Sequence, residues 1–306
     1  MSLLVVPLTQ TAVTSPFHSS CERGCQEKIL SPPKTWLWYQ FGLTALKRSE
    51  LAKLRLDEIG FQQIAEFASA KLADGLEVSS VNSCLRALRR VLHLAGPGQN
   101  SFGVIRTVPT VRMLPGERHR ERVISPKEEA RYFAVALPLL HDVSLVLFDT
   151  GMRPEECHRM RCEDLNWAGG RNGTVFIPKG KTKAARRLLP LSIRVRQMLE
   201  NRWKQVGEPA EGWVWPADTK DEHINHDSLK LQHRKALKLS KVRPFEIYSI
   251  RHTFLTRLGE SGCDVWTLAR IAGHSQISMS QRYVHPQADA VMKTVFEAGW
   301  AQYWAQ

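Results

Sequence analysis

Ile247–Pro286 reads IYSIRHTFLTRLGESGCDVWTLARIAGHSQISMSQRYVHP, and the reading of this stretch decides the rest of the chain. Ile250, Phe254 and Leu258 recur at helical i, i+4 spacing, and Ser249 stands where an N-cap belongs. That spacing predicts Arg251 in a first helical turn, where free N–H groups and the helix dipole favour an anion. Gly259 and Gly262 predict the helix end, and Asp264 is expected to cap a second helix carrying Val265, Leu268 and Ile271. Gly273 ends that helix and leaves His274 on a turn. A short third helix, opened by Ser278, carries Tyr283 and stops before Pro286. Arg251, His252, His274, Arg282, Tyr283 and His285 thus gather at helix ends and turns, where side chains can converge on one phosphate. The same residues fit equally well a basic helical face with a core tyrosine, so spacing alone leaves both open.

Three strings, RHTFLTRL, AGHS and QRYVHP, in this order and spacing resemble the C-terminal active-site segment of the tyrosine recombinases, the phage-integrase family. Upstream, TGMRPEE at 150–156 resembles the first catalytic-arginine motif of that family. The resemblance covers residues 34–306. It implies that Arg153 and Arg251 bind the scissile phosphate, that His274 adds a donor and that Glu156 orients the site. It also implies that Tyr283 is the nucleophile. One position departs from the pattern: the family usually has His three residues before the second arginine, and here that residue is Tyr248. A phenol can hydrogen-bond a phosphate or the nucleophile but is a poorer base near neutral pH. His252 follows Arg251 directly and could partly substitute, although the adjacent His of the family looks structural.

Composition points the same way. The chain of 306 residues has 43 Lys+Arg against 30 Asp+Glu, a formal net charge of +13, which favours a polyanionic partner, nucleic acid before an anionic membrane. No apolar run approaches the roughly 18 residues of a membrane span. MSLLVVPLTQTAV lacks a basic n-region and reads as a tail rather than a signal peptide. A cytoplasmic protein is expected. Its six scattered cysteines fit reduced thiols. His18, Cys21 and Cys25 have loosely metal-like spacing without a second cysteine pair to complete a tetrahedral site, and Cys157, His158 and Cys162 read as packing residues. No metal and no cofactor is expected.

In chain order, residues 1–33 show no period and read as a flexible N-terminal arm. Residues 34–100 are expected to form a helical unit. Its clearest member is Ser79–Ala95, with Val81, Leu85, Leu88 and Leu92 on one face and Arg86, Arg89 and Arg90 adding charge. Those arginines fit either a solvated bundle face or a DNA-facing surface. The unit resembles the core-binding domain of the recombinases. Residues 101–124 read as a basic interdomain linker whose Arg118 and Arg120 could touch a DNA backbone.

A second domain, 125–287, opens with Ser125, Pro126 and Glu128 in capping-box order. Gly151 breaks a helix and Pro154 begins the next. Thr174–Ile177 and Leu188–Leu191 read as strands around a basic turn holding Lys179, Lys181, Lys183, Arg186 and Arg187. A solvated tip and a phosphate-contacting hairpin both fit that turn. By resemblance it is the family's β-hairpin, whose lysine protonates the departing 5′-oxygen; Lys181 is the first choice and Lys183 its rival. Ile193–Gln205 and the basic stretch Lys230–Lys241 read as helices, the second lying along DNA or facing solvent. Residues 288–306 read as a C-terminal helix, which the resemblance would dock on a neighbouring protomer of a DNA-bound homotetramer.

The expected fold is therefore mainly α with a small β-hairpin or sheet: a helical core-binding domain, then a mixed α+β catalytic domain. The expected function is a site-specific recombinase or integrase of a mobile element acting on double-stranded DNA through a 3′-phosphotyrosyl intermediate. Two alternatives stay open: a catalytically impaired DNA-binding regulator of the same fold, and a type IB topoisomerase-like relaxing enzyme.

Overall fold

In the computed structural model, residues 33–98, 101–117, 122–180 and 183–284 are described. The chain divides into two compact units, Met1–Arg120 and Glu121–Gln306. The arm up to residue 32, Arg118, Arg120, Lys181, His285 and the tail 288–306 lie outside the described residues, as do His18, Cys21 and Cys25.

The first unit is helical: α1 (Pro33–Lys47), α2 (Phe61–Ala73) and α3 (Val78–Ala95). The apolar face of α3 is buried as its period predicts, with Val81, Leu85, Leu88 and Leu92 in one core with Leu43, Leu46 and Phe67. Gly42 lets α1 approach α3 closely; a Cβ there would lie 2.7 Å from the Cβ of Ala87. The stretch expected as linker behaves differently up to residue 117. Ile105 and Val111 enter the core. The amides of Phe102 and Ile105 donate to Leu94 O and Ala95 O, two of the carbonyls that the end of α3 leaves unpaired. Asn82, fully buried, accepts from the Leu114 amide and donates to Leu114 O and Glu117. Backbone capping and burial, which carry no sequence period, hold this segment to the helical unit.

The second unit begins with α4 (Pro126–Phe133). Its Ser125 hydroxyl accepts from the Glu128 amide while Glu128 accepts from the Ser125 amide, the predicted capping box. Then follow α5 (Pro138–Thr150), α6 (Pro154–His158), β1 (Leu165–Asn166), β2 (Thr174–Ile177), β3 (Arg187–Pro190), α7 (Ile193–Gln205) and α8 (His226–Ser240). The last elements are α9 (Ile247–Glu260), α10 (Val265–Ala272) and α11 (Ser278–Gln281). The strands form one antiparallel sheet in the order β1-β2-β3, with Val175 opposite Leu189. Val146, Leu147, Met152, Leu199, Trp215, Leu229 and Ile250 share the main core. A smaller cluster joins Leu255, Leu268, Ala272 and Tyr283. Cys157 and His158 are buried, as packing residues should be. Among the described residues no helix is long and apolar enough to cross a membrane.

Two predictions shift. Helix α9 starts at Ile247 with Glu246 as N-cap, rather than after Ser249, because Ile247 and Ile250 both find the core. Strand β3 starts at Arg187, one residue early, with Arg187 and Leu189 on its buried side.

Candidate active site

The C-terminus of α10 organises the site. A helix leaves its last carbonyls without intrahelical donors, and its dipole favours cations there. Three guanidiniums take three successive carbonyls: Arg187 Nε donates to Ile271 O at 2.6 Å, Arg251 Nη2 to Ala272 O at 2.6 Å and Arg153 Nη2 to Gly273 O at 3.1 Å. Gly273 permits this because it closes α10 in the left-handed region, φ 64°, and a Cβ there would lie 2.9 Å from Arg187 Nη1.

Glu156 neutralises part of this charge. Its carboxylate accepts from Arg153 N at 2.9 Å, Arg153 Nη1 at 2.8 Å, Arg187 Nη1 at 3.2 Å and Arg187 Nη2 at 2.8 Å. Burial opposes its ionisation, yet the hydrogen bond and charge of Arg187, with the Arg153 bonds, hold the carboxyl below its ordinary range. Glu156 thus bridges Arg153 and Arg187. Arg187 does not have the DNA-facing position expected of it: it is 2% exposed and spends its fork on Glu156 and on backbone carbonyls. Its alternation with Leu189 in β3 was the signal for burial.

Arg251, 1% exposed, also donates Nη1 to Gly151 O at 2.8 Å, the left-handed residue ending α5. Burial first, then the neighbouring charge of Arg153, lowers its pKa. Its Nη2 lies 3.2 Å from His274 Nε2. A guanidinium only donates, so Nε2 accepts and Nδ1–H donates to Ser280 Oγ at 2.8 Å. His274 is therefore neutral, in agreement with a pKa pushed down to about 4 by burial and by the charges of Arg251 and Arg153. In this arrangement it is an acceptor toward Arg251.

Tyr283 follows α11 and is 6% exposed, but its hydroxyl is not sealed in hydrocarbon: Oη lies 2.5 Å from His252 Nδ1. Its backbone sits against α9 because residue 259 is glycine; a Cβ there would fall 1.9 Å from Tyr283 O. The ring lies parallel to that of His274, at 6.5 Å between centroids. Tyr248, where the family pattern has His, is 45% exposed and meets the His252 ring edge-on at 5.1 Å. Arg153, Glu156, Arg251, His274 and Tyr283 are thus brought together, and His252, the residue able to substitute in part for the missing His, joins them.

Residues 136–289, just over half of the chain, match the model of the phage integrase family. The chain belongs to this family, the tyrosine recombinases. As a family member it is 25% identical over 234 residues to the tyrosine recombinase XerC of Pelobacter propionicus, an alignment covering 74% of this chain and 73% of that protein. It is 25% identical over 256 residues to a shufflon-specific DNA recombinase of Escherichia coli, covering 79% and 62%. An integrase/recombinase of Sinorhizobium fredii, y4qK, is matched at 26% identity over only 54% of its length. Among solved structures, the Tn1549 transposon integrase in complex with circular intermediate DNA aligns at TM-score 0.73 and 17% identity, covering 90% of this chain and 97% of that one. A lambda integrase dimer bound to a core site aligns at 0.65 and 18%, with the same coverage. These structural likenesses carry the recombinase fold.

The DNA-facing candidates differ among themselves. Arg89 and Arg90 on α3 and Lys179 and Arg186 at the hairpin are exposed, the Arg186 guanidinium lying 5.3 Å from the Phe176 ring centroid. Arg86 is tied to Glu117 at 2.7 Å. Lys181 lies outside the described residues, and the Lys183 backbone forms a short 3-10 turn, Lys183–Ala185.

Proposed function

We propose that this chain is a site-specific DNA recombinase that cleaves and rejoins strands of double-stranded DNA through a 3′-phosphotyrosyl link. The observation that carries the reading is the seating of Arg153 and Arg251 on consecutive carbonyls beside His274, with the Tyr283 hydroxyl hydrogen-bonded rather than enclosed by hydrocarbon. Charge growing on the non-bridging oxygens of a five-coordinate phosphorus is met by two guanidiniums already fixed in place, through N–H groups beyond those that bind Glu156 and the carbonyls of Gly151, Ala272 and Gly273. Such donors need no reorganisation at the moment of reaction, and loss of one commonly costs about 100-fold or more. His274 can join them. It does so by giving up its contact with Arg251: the Ser280 hydroxyl then donates to Nδ1, Nε2 carries the proton, and its N–H turns to a phosphate oxygen.

Tyr283 attacks phosphorus, and the 5′-oxygen leaves with a proton from a hairpin lysine, Lys181 or Lys183. The covalent link retains phosphodiester energy, so a partner strand's 5′-hydroxyl reverses the step without ATP. Arg89, Arg90, Lys179 and Arg186 neutralise flanking phosphates. Residues 34–117 serve as the core-binding unit and 122–287 as the catalytic unit. The tail 288–306 couples protomers into a tetramer on paired sites, and the substrate belongs to a mobile element.

The test is incubation of the full chain with nicked duplexes, selected for binding from a randomised pool, in EDTA. A denaturation-resistant protein–DNA adduct, absent from Tyr283→Phe, supports the reading; no adduct on any selected duplex overturns it. Relaxation of a plasmid carrying no selected site would favour the topoisomerase-like alternative.

A further inference from the structure

His252 follows Arg251 in sequence and stands close to the tyrosine oxygen in space. It lies one helical turn after Tyr248, on the same side of α9, because residues four apart are neighbours on a helix. Its Nδ1 lies in hydrogen-bond contact with the Tyr283 hydroxyl, at 2.5 Å, with 5.9 Å between ring centroids. The competing groups are poorly disposed. Tyr248 is a phenol, half out in solvent, and a phenol is too weakly basic near neutral pH to take another phenol's proton. His274 lies beside the Tyr283 ring, but both of its nitrogens are committed, Nδ1 to Ser280 and Nε2 to Arg251.

We infer that His252 is the proton acceptor that activates Tyr283, taking over one turn along α9 the position-248 task that tyrosine cannot perform. The inference rests on the recombinase reading above. The role requires the tautomer in which Nδ1 accepts from Oη–H and the ring's own proton resides on Nε2, a direction that the 2.5 Å contact allows. As Oη forms its bond to phosphorus, its proton passes to Nδ1 and the ring becomes imidazolium. The P–O5′ bond breaks with its electron pair on O5′, which takes a proton from the hairpin acid. In rejoining, O5′–H returns its proton to the hairpin acid as O5′ attacks, and the imidazolium returns the other proton to the tyrosine oxygen. The cation formed on His252 arises only with a phosphodiester's negative charge in the site, so proton transfer is coupled to substrate binding. Tyr248, edge-on to the His252 ring, and the Gly259 seat of Tyr283 hold the pair in line, which makes them positioning residues.

The experiment measures adduct rate on the selected nicked duplexes for the full chain and two variants. His252→Asn keeps a carbonyl oxygen able to accept near the Nδ1 position but cannot take up a proton; His252→Gln lacks the native placement. Both are expected to lose about 100-fold or more in rate with duplex affinity and melting temperature unchanged. A ring-fluorinated tyrosine at 283, whose phenol is more acidic, is expected to restore at least tenfold of the loss in His252→Asn and nothing in Arg153→Gln. A 5′-bridging sulfur in the duplex, a leaving group that needs no proton, is expected not to restore His252→Asn. A His252→Asn rate within threefold of wild type overturns the inference while leaving the recombinase reading standing, and so does rescue by the 5′-sulfur. Absence of any wild-type adduct overturns both.

Discussion

Glu156→Gln tests whether the arginine cluster is a neutralised core element or a loosely held surface charge. The substitution preserves shape and removes one negative charge from between Arg153 and Arg187. Of the four donors that Glu156 accepts, an amide can face only those directed at its single oxygen, and its NH2 must point at a guanidinium. Arg187 and Glu156 have side chains only 1% and 5% exposed, so water does not replace the lost partner. Breaking a buried ion pair from one side costs roughly 3–5 kcal/mol. For a unit of this size about 1 kcal/mol moves the melting temperature by about 2–4 °C, so a fall of roughly 6–20 °C is expected. Thermal unfolding of the full chain at pH 7 measures it, with the exposed Glu260→Gln as a control expected to change by less than about 0.5 kcal/mol. The pH sign is fixed as well. The folded-state pKa of Glu156 is depressed, so its stabilisation is complete above the ordinary carboxylate range and is lost as pH falls through the folded value. The gap between wild type and Glu156→Gln should therefore narrow on acidification. A Glu156→Gln protein melting within about 2 °C of wild type at pH 7, or a gap that widens in acid, would refute the reasoning.

Other perturbations separate positioning from bulk stability. Gly259→Ala puts a methyl group where Tyr283 O lies 1.9 Å away, and displacement of the nucleophile by about 1 Å should lower adduct rate about 100-fold; unchanged rate in a kinetic assay would contradict the seat. His274 should titrate by NMR with a midpoint near 4, and because this is below the unfolded value its contribution to stability should fade as pH drops from about 6.5 toward about 4. A midpoint between 6 and 7 would remove the Arg251 contact from the account. On DNA, Arg89→Ser or Arg90→Ser should each flatten the salt dependence of binding by about one unit of slope, whereas Arg86→Ser, whose charge Glu117 already holds, should change the slope far less. Equal changes for all three would deny the ion pair its effect.

How much of this was legible in the sequence depends on whether a residue announces itself locally. Ser125 with Glu128, Asp264 before α10, and glycines 151 and 273 at helix ends were all readable, because caps are local chemistry. These caps place Arg153 and His274 on turns, so half of the site came with the helix boundaries. The burial of Arg187 was legible too, through its alternation with Leu189, but its charge argued for the surface and prevailed over the period. The carbonyl row that collects three arginines was not legible. It joins residues 153, 187 and 251 to residues 271–273, and no local pattern encodes a contact across that separation. The same holds for Asn82 and Arg86 reaching Leu114 and Glu117. Strand β1, two residues long, is too short to show alternation. The His252–Tyr283 bond spans 31 residues and depends on Gly259 admitting the backbone of Tyr283, a relation that only the packed structure displays.

The central claim is that the Tyr283 oxygen becomes bonded to a 3′-phosphate. Its most direct measurement is the chemistry of the two DNA ends after adduct formation with the full chain. The account predicts a protease-resistant peptide containing Tyr283 attached through phosphate to the 3′ end, and a new 5′ end that polynucleotide kinase labels without prior phosphatase treatment. A 5′-phosphorylated product, or attachment at any residue other than Tyr283, would contradict it.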